Sequence, residues 1–235
     1  MRINDFFNDM EISENDKIYA QKAIAAKGLE KHISIKEYLL SWREKGYCRY
    51  SEVATTYRYD KRIRNVLYKY ISYLEEFFRA NIQDNYYNKV EQEFWISQLK
   101  ELLIKYNQNL NDALENLSFS HLLKQMEKLP QEIKDVCISI KSYVNQNIKA
   151  LIELRNAVMH NKFLVLYKGL KFCYVNGVDS EKNNGLKANI INLANFLPTG
   201  AKEQYVLDIN DCRKQKNNKG KTRWDLPTQI TVMLP

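Results

Sequence analysis

The strongest constraint on this chain is how rarely its backbone is interrupted. Seven glycines and four prolines occur in 235 residues, and Pro130 is the only proline before residue 198. Proline removes a backbone donor and clashes with the preceding turn, while glycine leaves the backbone loose, so a stretch with few of either favours helix. The apolar pattern agrees. Between residues 60 and 87, Ile63, Leu67, Tyr70, Leu74, Phe77, Phe78 and Ile82 step by three and four, the spacing of one helical face. Residues 91–114 continue it with Phe94, Trp95, Leu99, Leu102, Leu103, Tyr106 and Leu110, and residues 118–129 form a shorter segment. Pro130 stands where a first-turn proline belongs, and Ile133, Cys137, Ile140, Val144, Ile148, Leu151, residue 155 and Val158 trace one stripe. That stripe predicts a single helix of about seven turns.

Ahead of these, residues 16–27 and 35–45 read as two short helices, separated by Gly28 and a polar stretch and stopped by Gly46. After His160 the period changes. Residues 163–167 and 170–175 are short apolar and aromatic runs, split by Lys168-Gly169 and closed by Asn176-Gly177, which predicts a β-hairpin or a pair of small strands. Residues 205–209 and 229–234 are further strand candidates, whereas 179–187 and 213–223 are polar and lysine-rich. The expected fold is mainly α: an N-terminal helical cap (1–54), a helical bundle (55–165) and a small β-containing basic extension (166–235). No internal repeat points to a solenoid.

Composition narrows the function classes. A hydrophobic content of 45% builds a real core, which excludes a disordered tail or a disulfide miniprotein. Charged residues make up 27% of the chain, and no apolar run approaches the roughly 18–20 residues of a bilayer span, so no membrane partner is expected. Met1 is followed by Arg2, Asn4, Asp5 and Asp9 with no apolar segment behind them, which points away from a secretory signal and toward the cytoplasm. Cys48, Cys137, Cys173 and Cys212 are scattered without a Cys-x-x-Cys pair and read as reduced thiols. With only His32, His121 and His160, a clustered-imidazole metal site lacks material. No cofactor is expected, although the carboxylates leave a magnesium site open. The excess of 36 Lys+Arg over 28 Asp+Glu gives a net charge of +8. That favours a polyanionic partner, nucleic acid first, with a merely solvated basic surface as the alternative.

The chemistry concentrates at Glu153-Leu154-Arg155-Asn156-Ala157-Val158-Met159-His160. Arg155 falls on an otherwise apolar stripe, a costly place for a charge unless it snorkels, meets a carboxylate or faces a ligand or partner. Asn156 and His160, at i and i+4, share a helix face, so the amide can orient the ring. Arg155 lies on another face, and functional groups on both sides suggest that a second body packs there. A salt-bridged helix end that complements the dipole would carry the same residues.

Arg155-Asn156-x-x-x-His160 at the end of a terminal bundle helix resembles the motif of HEPN domains, many of which are metal-independent endoribonucleases. The segment from Tyr57 to Leu67 with Asp60 and Arg64, and that from Tyr73 to Ile82 with Glu75 and Arg79, is similar to the aspartate-arginine and glutamate-arginine helix of the bacterial abortive-infection (Abi) branch, the AbiD/AbiF-like proteins. The resemblance covers roughly residues 17–165. It implies a role in phage defence, a kinship to the nuclease domains of RNA-targeting CRISPR effectors, and a homodimer in which two motifs meet in one composite cleft. RNA would be the substrate, or a structured non-coding RNA the bound partner of a non-catalytic module. In this frame His160 is the general base or acid, Arg155 the phosphate and transition-state stabiliser, and Asn156 the group orienting His160. The products would be a 2′,3′-cyclic phosphate and a 5′-hydroxyl, and DNA would resist. One departure concerns control: where HEPN toxins with a nucleotidyltransferase antitoxin carry a tyrosine two residues past the histidine, this chain has Lys162. Tyr167 does not match that position.

Elsewhere, His121 reads as a helix-surface or capping residue and His32 as part of a polar connector. No Gly-rich phosphate loop, Gly-x-Ser-x-Gly elbow or His-Glu-x-x-His helix occurs. Tyr68, Tyr70 and Tyr73 at helical spacing read as core and groove wall rather than as a base-stacking platform. The tail puts Arg213, Lys214, Lys216, Lys219, Lys221, Arg223 and Trp224 into twelve residues. With Lys162 these make a candidate RNA-binding set, a phosphate-tracking arm on which Trp224 stacks, or else a solvated loop.

Overall fold

The computed structural model describes residues 3–42, 46–87, 100–101, 103–107, 109–127, 131, 143–176, 185–214 and 226–234. The fold is mainly helical. Two short helices, α1 (Glu14–Lys27) and α2 (Leu29–Leu40), lead into a 38-residue helix, α3 (Tyr50–Tyr87). Around α3 pack α4 (Leu110–Glu115), α5 (Phe119–Glu127), α6 (Val144–Met159), α7 (Leu186–Phe196) and α8 (Thr199–Asp211).

Local chemistry explains the boundaries. Ser13 caps α1, its Oγ accepting from the Asp16 amide at 3.2 Å, with Glu14 and Asp16 in the first turn where carboxylates suit the helix dipole. Gly28, at φ 92°, ends α1 and opens α2, a backbone conformation that a side chain resists. The second helix therefore starts earlier than the sequence suggested and takes in the polar stretch, including His32. The predicted stripe of α3 forms the axis of the core, with Ile63, Leu67, Leu74, Phe78 and Ile82 fully buried.

The long helix expected from Pro130 is interrupted at Tyr143, whose left-handed backbone (φ 57°) precedes α6. Residues 91–99, 102 and 108, and all of 130–142 except Gln131, lie outside the described residues; the helix expected over 91–114 is broken at Asn107 (φ 50°), before Asn109 caps α4.

Among the described residues the β content lies near the N-terminal cap and not in the C-terminal extension where it was expected. Among the described residues the only sheet joins β1 (Met10–Glu11) and β2 (Cys48–Arg49) in parallel, pairing Met10 with Cys48 and Glu11 with Arg49. The expected hairpin over 163–175 is instead a 3-10 turn, Leu164–Leu166, followed by a segment without regular secondary structure. Residues 205–209 lie inside α8, and 229–234 run from the 3-10 turn Thr228–Ile230 into an extended end.

Side-chain amides replace the missing strand partners. Asn147 on α6 grips Tyr174 at both backbone groups, donating to its carbonyl at 3.1 Å and accepting from its N–H at 2.7 Å. Gln146 donates to the Phe172 carbonyl and Asn189 to that of Lys171. Asn210 holds Leu234 in the same two-sided way, at 3.0 and 2.9 Å. None of the four predicted strands forms among the described residues, and the backbone of Lys171, Phe172, Tyr174 and Leu234 bonds to helix side chains rather than to a sheet.

Two main cores result. The larger joins α3, α4, α5 and α6 to Ile190, Leu193, Phe196, Tyr205, Ile209 and Leu234, so α7, α8 and the chain end from Val232 share the interior of the earlier helices. The smaller lies under the N-terminal cap, where Phe6, Phe7, Ile24, Ile35, Leu39, Cys48 and Val53 pack together.

Candidate active site

The motif occupies the last turns of α6, and the helix closes on it in a complete Schellman motif. Asn161 takes the left-handed conformation (φ 53°), its N–H bonding the Val158 carbonyl at 3.1 Å, while the Lys162 N–H reaches back to Ala157 at 2.9 Å. His160, Asn161 and Lys162 are thereby fixed at the surface, and all three are exposed. The left-handed position goes to asparagine, the residue other than glycine that tolerates it best.

Leu154, Ala157 and Val158 supply the buried face of this helix, and Arg155 sits at its half-buried edge. Of the three possibilities for a charge there, it meets a carboxylate. Its Nε lies 3.4 Å from Glu75 Oε1, and the guanidinium stands 6.0 Å over the Phe119 ring. Glu75 is shared: its other oxygen lies 3.5 Å from Arg79 Nη1. Arg79 in turn donates to the Leu114 and Leu117 carbonyls at 3.1 and 3.2 Å, neutralising the end of α4. Arg155 contacts Glu75 through Nε, and its side chain remains 30% exposed, so the Nη edge that suits two phosphate oxygens is left for another partner.

A second acid–arginine pair on α3 holds the turn after the motif. Asp60, fully buried, accepts from the Val165 N–H at 3.1 Å and pairs with Arg64 at 3.2 Å. Arg64 then donates to Asn161 Oδ1 at 3.2 Å. Burial pushes the Asp60 carboxyl up to about 6 despite these donors and the Arg64 charge.

One contact expected from the sequence is not formed. Asn156 and His160 are joined by a backbone bond, the His160 N–H to the Asn156 carbonyl at 2.9 Å. No side-chain hydrogen bond between amide and imidazole occurs. As the helix cap, His160 has left the helical path at φ −85° and ψ 13°, so the ideal i,i+4 alignment no longer applies.

Of the basic set, Lys162 stands beside His160. Arg213 and Lys214 follow α8 at the same level of α3, where Arg62 donates to the carbonyls of Cys212 and Lys214. Lys214 also pairs with Asp211, and Arg213 is half-buried. Lys216, Lys219, Lys221, Arg223 and Trp224 lie outside the described residues. His121 behaves as a capping residue, its Nδ1 2.9 Å from Ser118 Oγ at the start of α5. His32 does not belong to a polar connector: it is buried inside α2, its Nδ1–H donating to the Gly28 carbonyl at 2.8 Å and its ring stacked 5.3 Å from Tyr57.

Sequence reasoning missed the anchoring roles of Glu75, Asp60 and Asn161. The i,i+4 spacing of each acid with its arginine was a signal for the pairs but not for what they hold. Also unforeseen is the bond from Tyr167 Oη to Glu153 at 2.8 Å; the Tyr167 ring lies so close over Gly169 that an added Cβ would stand 2.4 Å from it. Among the described residues no cluster of three or more His, Cys, Asp or Glu side chains is placed to hold a metal ion. No helix among them is long and apolar enough to cross a membrane. In comparisons with known proteins, no family model, no curated protein and no solved structure matches the chain.

Proposed function

We propose that this chain is a HEPN-type RNA-binding protein and metal-independent endoribonuclease of the cytoplasm, acting in abortive-infection defence against phage as a homodimer. The observation that supports it most is that one helix end carries both an exposed imidazole on a fixed backbone and an arginine anchored by one edge. His160 projects from a fixed helix cap, and Arg155, steadied by Glu75, keeps its Nη edge for a phosphate. In the reaction, one His160 takes the proton of a ribose 2′-OH and the 2′-oxygen attacks phosphorus. The P–O5′ bond breaks, and the leaving 5′-oxygen takes a proton from the His160 of the second copy. Arg155 balances the charge that builds on the phosphoryl oxygens.

The test is cleavage of RNA in excess EDTA by the purified protein, with product ends read by mass spectrometry. Cyclic phosphate ends, resistance of the all-deoxy substrate and loss of cleavage in both His160→Ala and Arg155→Ala would support the reading. Cleavage that persists in both variants would sink the site.

A second reading, a non-catalytic module that holds a structured non-coding RNA, draws on the unformed Asn156–His160 contact. It predicts tight, salt-sensitive RNA binding without cyclic-phosphate product.

A further inference from the structure

A cleft of about 630 Å³ opens between the N-terminal cap and the start of α3, and one of its lining residues, Tyr57, lies 6.1 Å from Phe163, just past the motif. Two helix faces line it in register. Tyr19, Ala23 and Lys27 come from α1 at i, i+4 and i+8, and Tyr50, Ala54 and Arg58 from α3 at the same spacing. Small residues stand in the middle of both faces, and the buried His32 ring is among the lining residues, near-parallel to the rings of Tyr50 and Tyr57 at 6.4 and 5.3 Å.

The two ends differ. At one, Tyr19 is 71% exposed and no aromatic ring packs on it among the described contacts. At the other, Lys27 lies 5.3 Å over the Tyr57 ring and is close enough to Arg58 and Lys61 for both to lower its pKa, with partial burial the larger cause. None of these three cations has a carboxylate partner among the described residues, whereas Arg49, at the Tyr19 end, is paired with Glu11 at 3.1 Å. Like charges gathered without a counter-charge are unfavourable unless an anion joins them. Eight helical residues separate Tyr19 from Lys27, a span of about 12 Å.

We infer that this cleft binds a nucleotide, its base stacked on Tyr19 and its phosphates held by Lys27 and Arg58, with Lys61 adding positive charge beside them. A volume of about 630 Å³ accommodates a nucleotide, and the separation of platform and cations favours more than one phosphate. Free nucleotides and an RNA chain carry the same chemistry. The inference does not depend on the ribonuclease reading, since none of these residues belongs to the motif.

Isothermal titration of the full chain tests it with ADP, ATP, pyrophosphate and a short RNA, each against wild type, Tyr19→Ala and the Lys27→Ala/Arg58→Ala pair, with thermal melts confirming that every variant folds. The expected result is nucleotide binding weakened at least 10-fold by either change, and pyrophosphate binding weakened by the double change alone. If ADP and ATP show this pattern, the ligand is a free nucleotide; if only the RNA does, it is a nucleotide within a chain. Absence of binding by all nucleotide ligands, binding indifferent to the substitutions, or equal affinity for pyrophosphate and ATP with no effect of Tyr19→Ala would overturn it. RNA cleavage measured on the same variants keeps this outcome separate from that of the His160 site.

Discussion

At the scale of single residues, two acid–arginine pairs on α3 set the conditions for the motif. Asp60 is the costlier member, because a fully buried carboxylate loses its hydration and recovers only part of it from Val165 and Arg64. With its pKa raised from 3.8 to about 6, the native state holds a proton that the unfolded chain has already released. Stability from this group is therefore greatest below the unfolded value and falls as pH rises through the window from 3.8 to about 6. Chemical denaturation of wild type and Asp60→Asn across that window should show the wild-type advantage shrinking with pH; an advantage that grows would contradict the burial argument. For Glu75 and Arg155, both partly exposed, a double-mutant cycle should return a coupling of about 1 kcal/mol, between the surface and the buried regimes.

Among the elements, the end of α6 and the amide-braced segments carry the clearest consequences. Asn161→Gly keeps the left-handed position but loses the bond to Arg64, whereas Asn161→Ala loses both. Urea melts should place alanine below glycine by about 1 kcal/mol, the cost of a Cβ at positive φ. Asn147→Leu should be worse, by about 2–4 kcal/mol, because it orphans the Tyr174 N–H and C=O together. Hydrogen exchange at Tyr174 would report that release directly. These segments also show why strand reading failed after residue 160. A short apolar run bounded by turn residues signals a buried segment, and it carries no information about whether its backbone partner is a strand or a row of asparagines. The abundance of asparagine was visible in the sequence, but which of them face a neighbouring backbone was not.

For the whole molecule, the last helices are part of the bundle rather than an appendage to it. Tyr205 is fully buried, its ring 4.9 Å from that of Tyr70 and its hydroxyl bonded to the Ile190 carbonyl at 3.0 Å. Tyr59 Oη likewise accepts from the Val232 N–H at 2.7 Å, tying α3 to the chain end. A chain cut after residue 165 should lose cooperative unfolding, as circular dichroism would register, and Tyr205→Ala in the full chain should cost about 3–5 kcal/mol. A truncated chain that still melts cooperatively would restore the boundary that composition suggested. Sequence by itself determined the mainly helical class, the long axis of α3 with its buried stripe, the cap helices on either side of Gly28, and Arg155, Asn156 and His160 as the residues to question. These follow from periodicity and breakers, which act within a few turns of chain. Tertiary structure alone decided that Glu75 takes Arg155 by one edge, that Arg64 fixes Asn161, that His32 is buried behind a cleft, and that α7, α8 and the chain end complete the core. Each of these depends on which helix faces which across the fold, and contacts that join residues 80 or 150 positions apart leave no trace in local spacing.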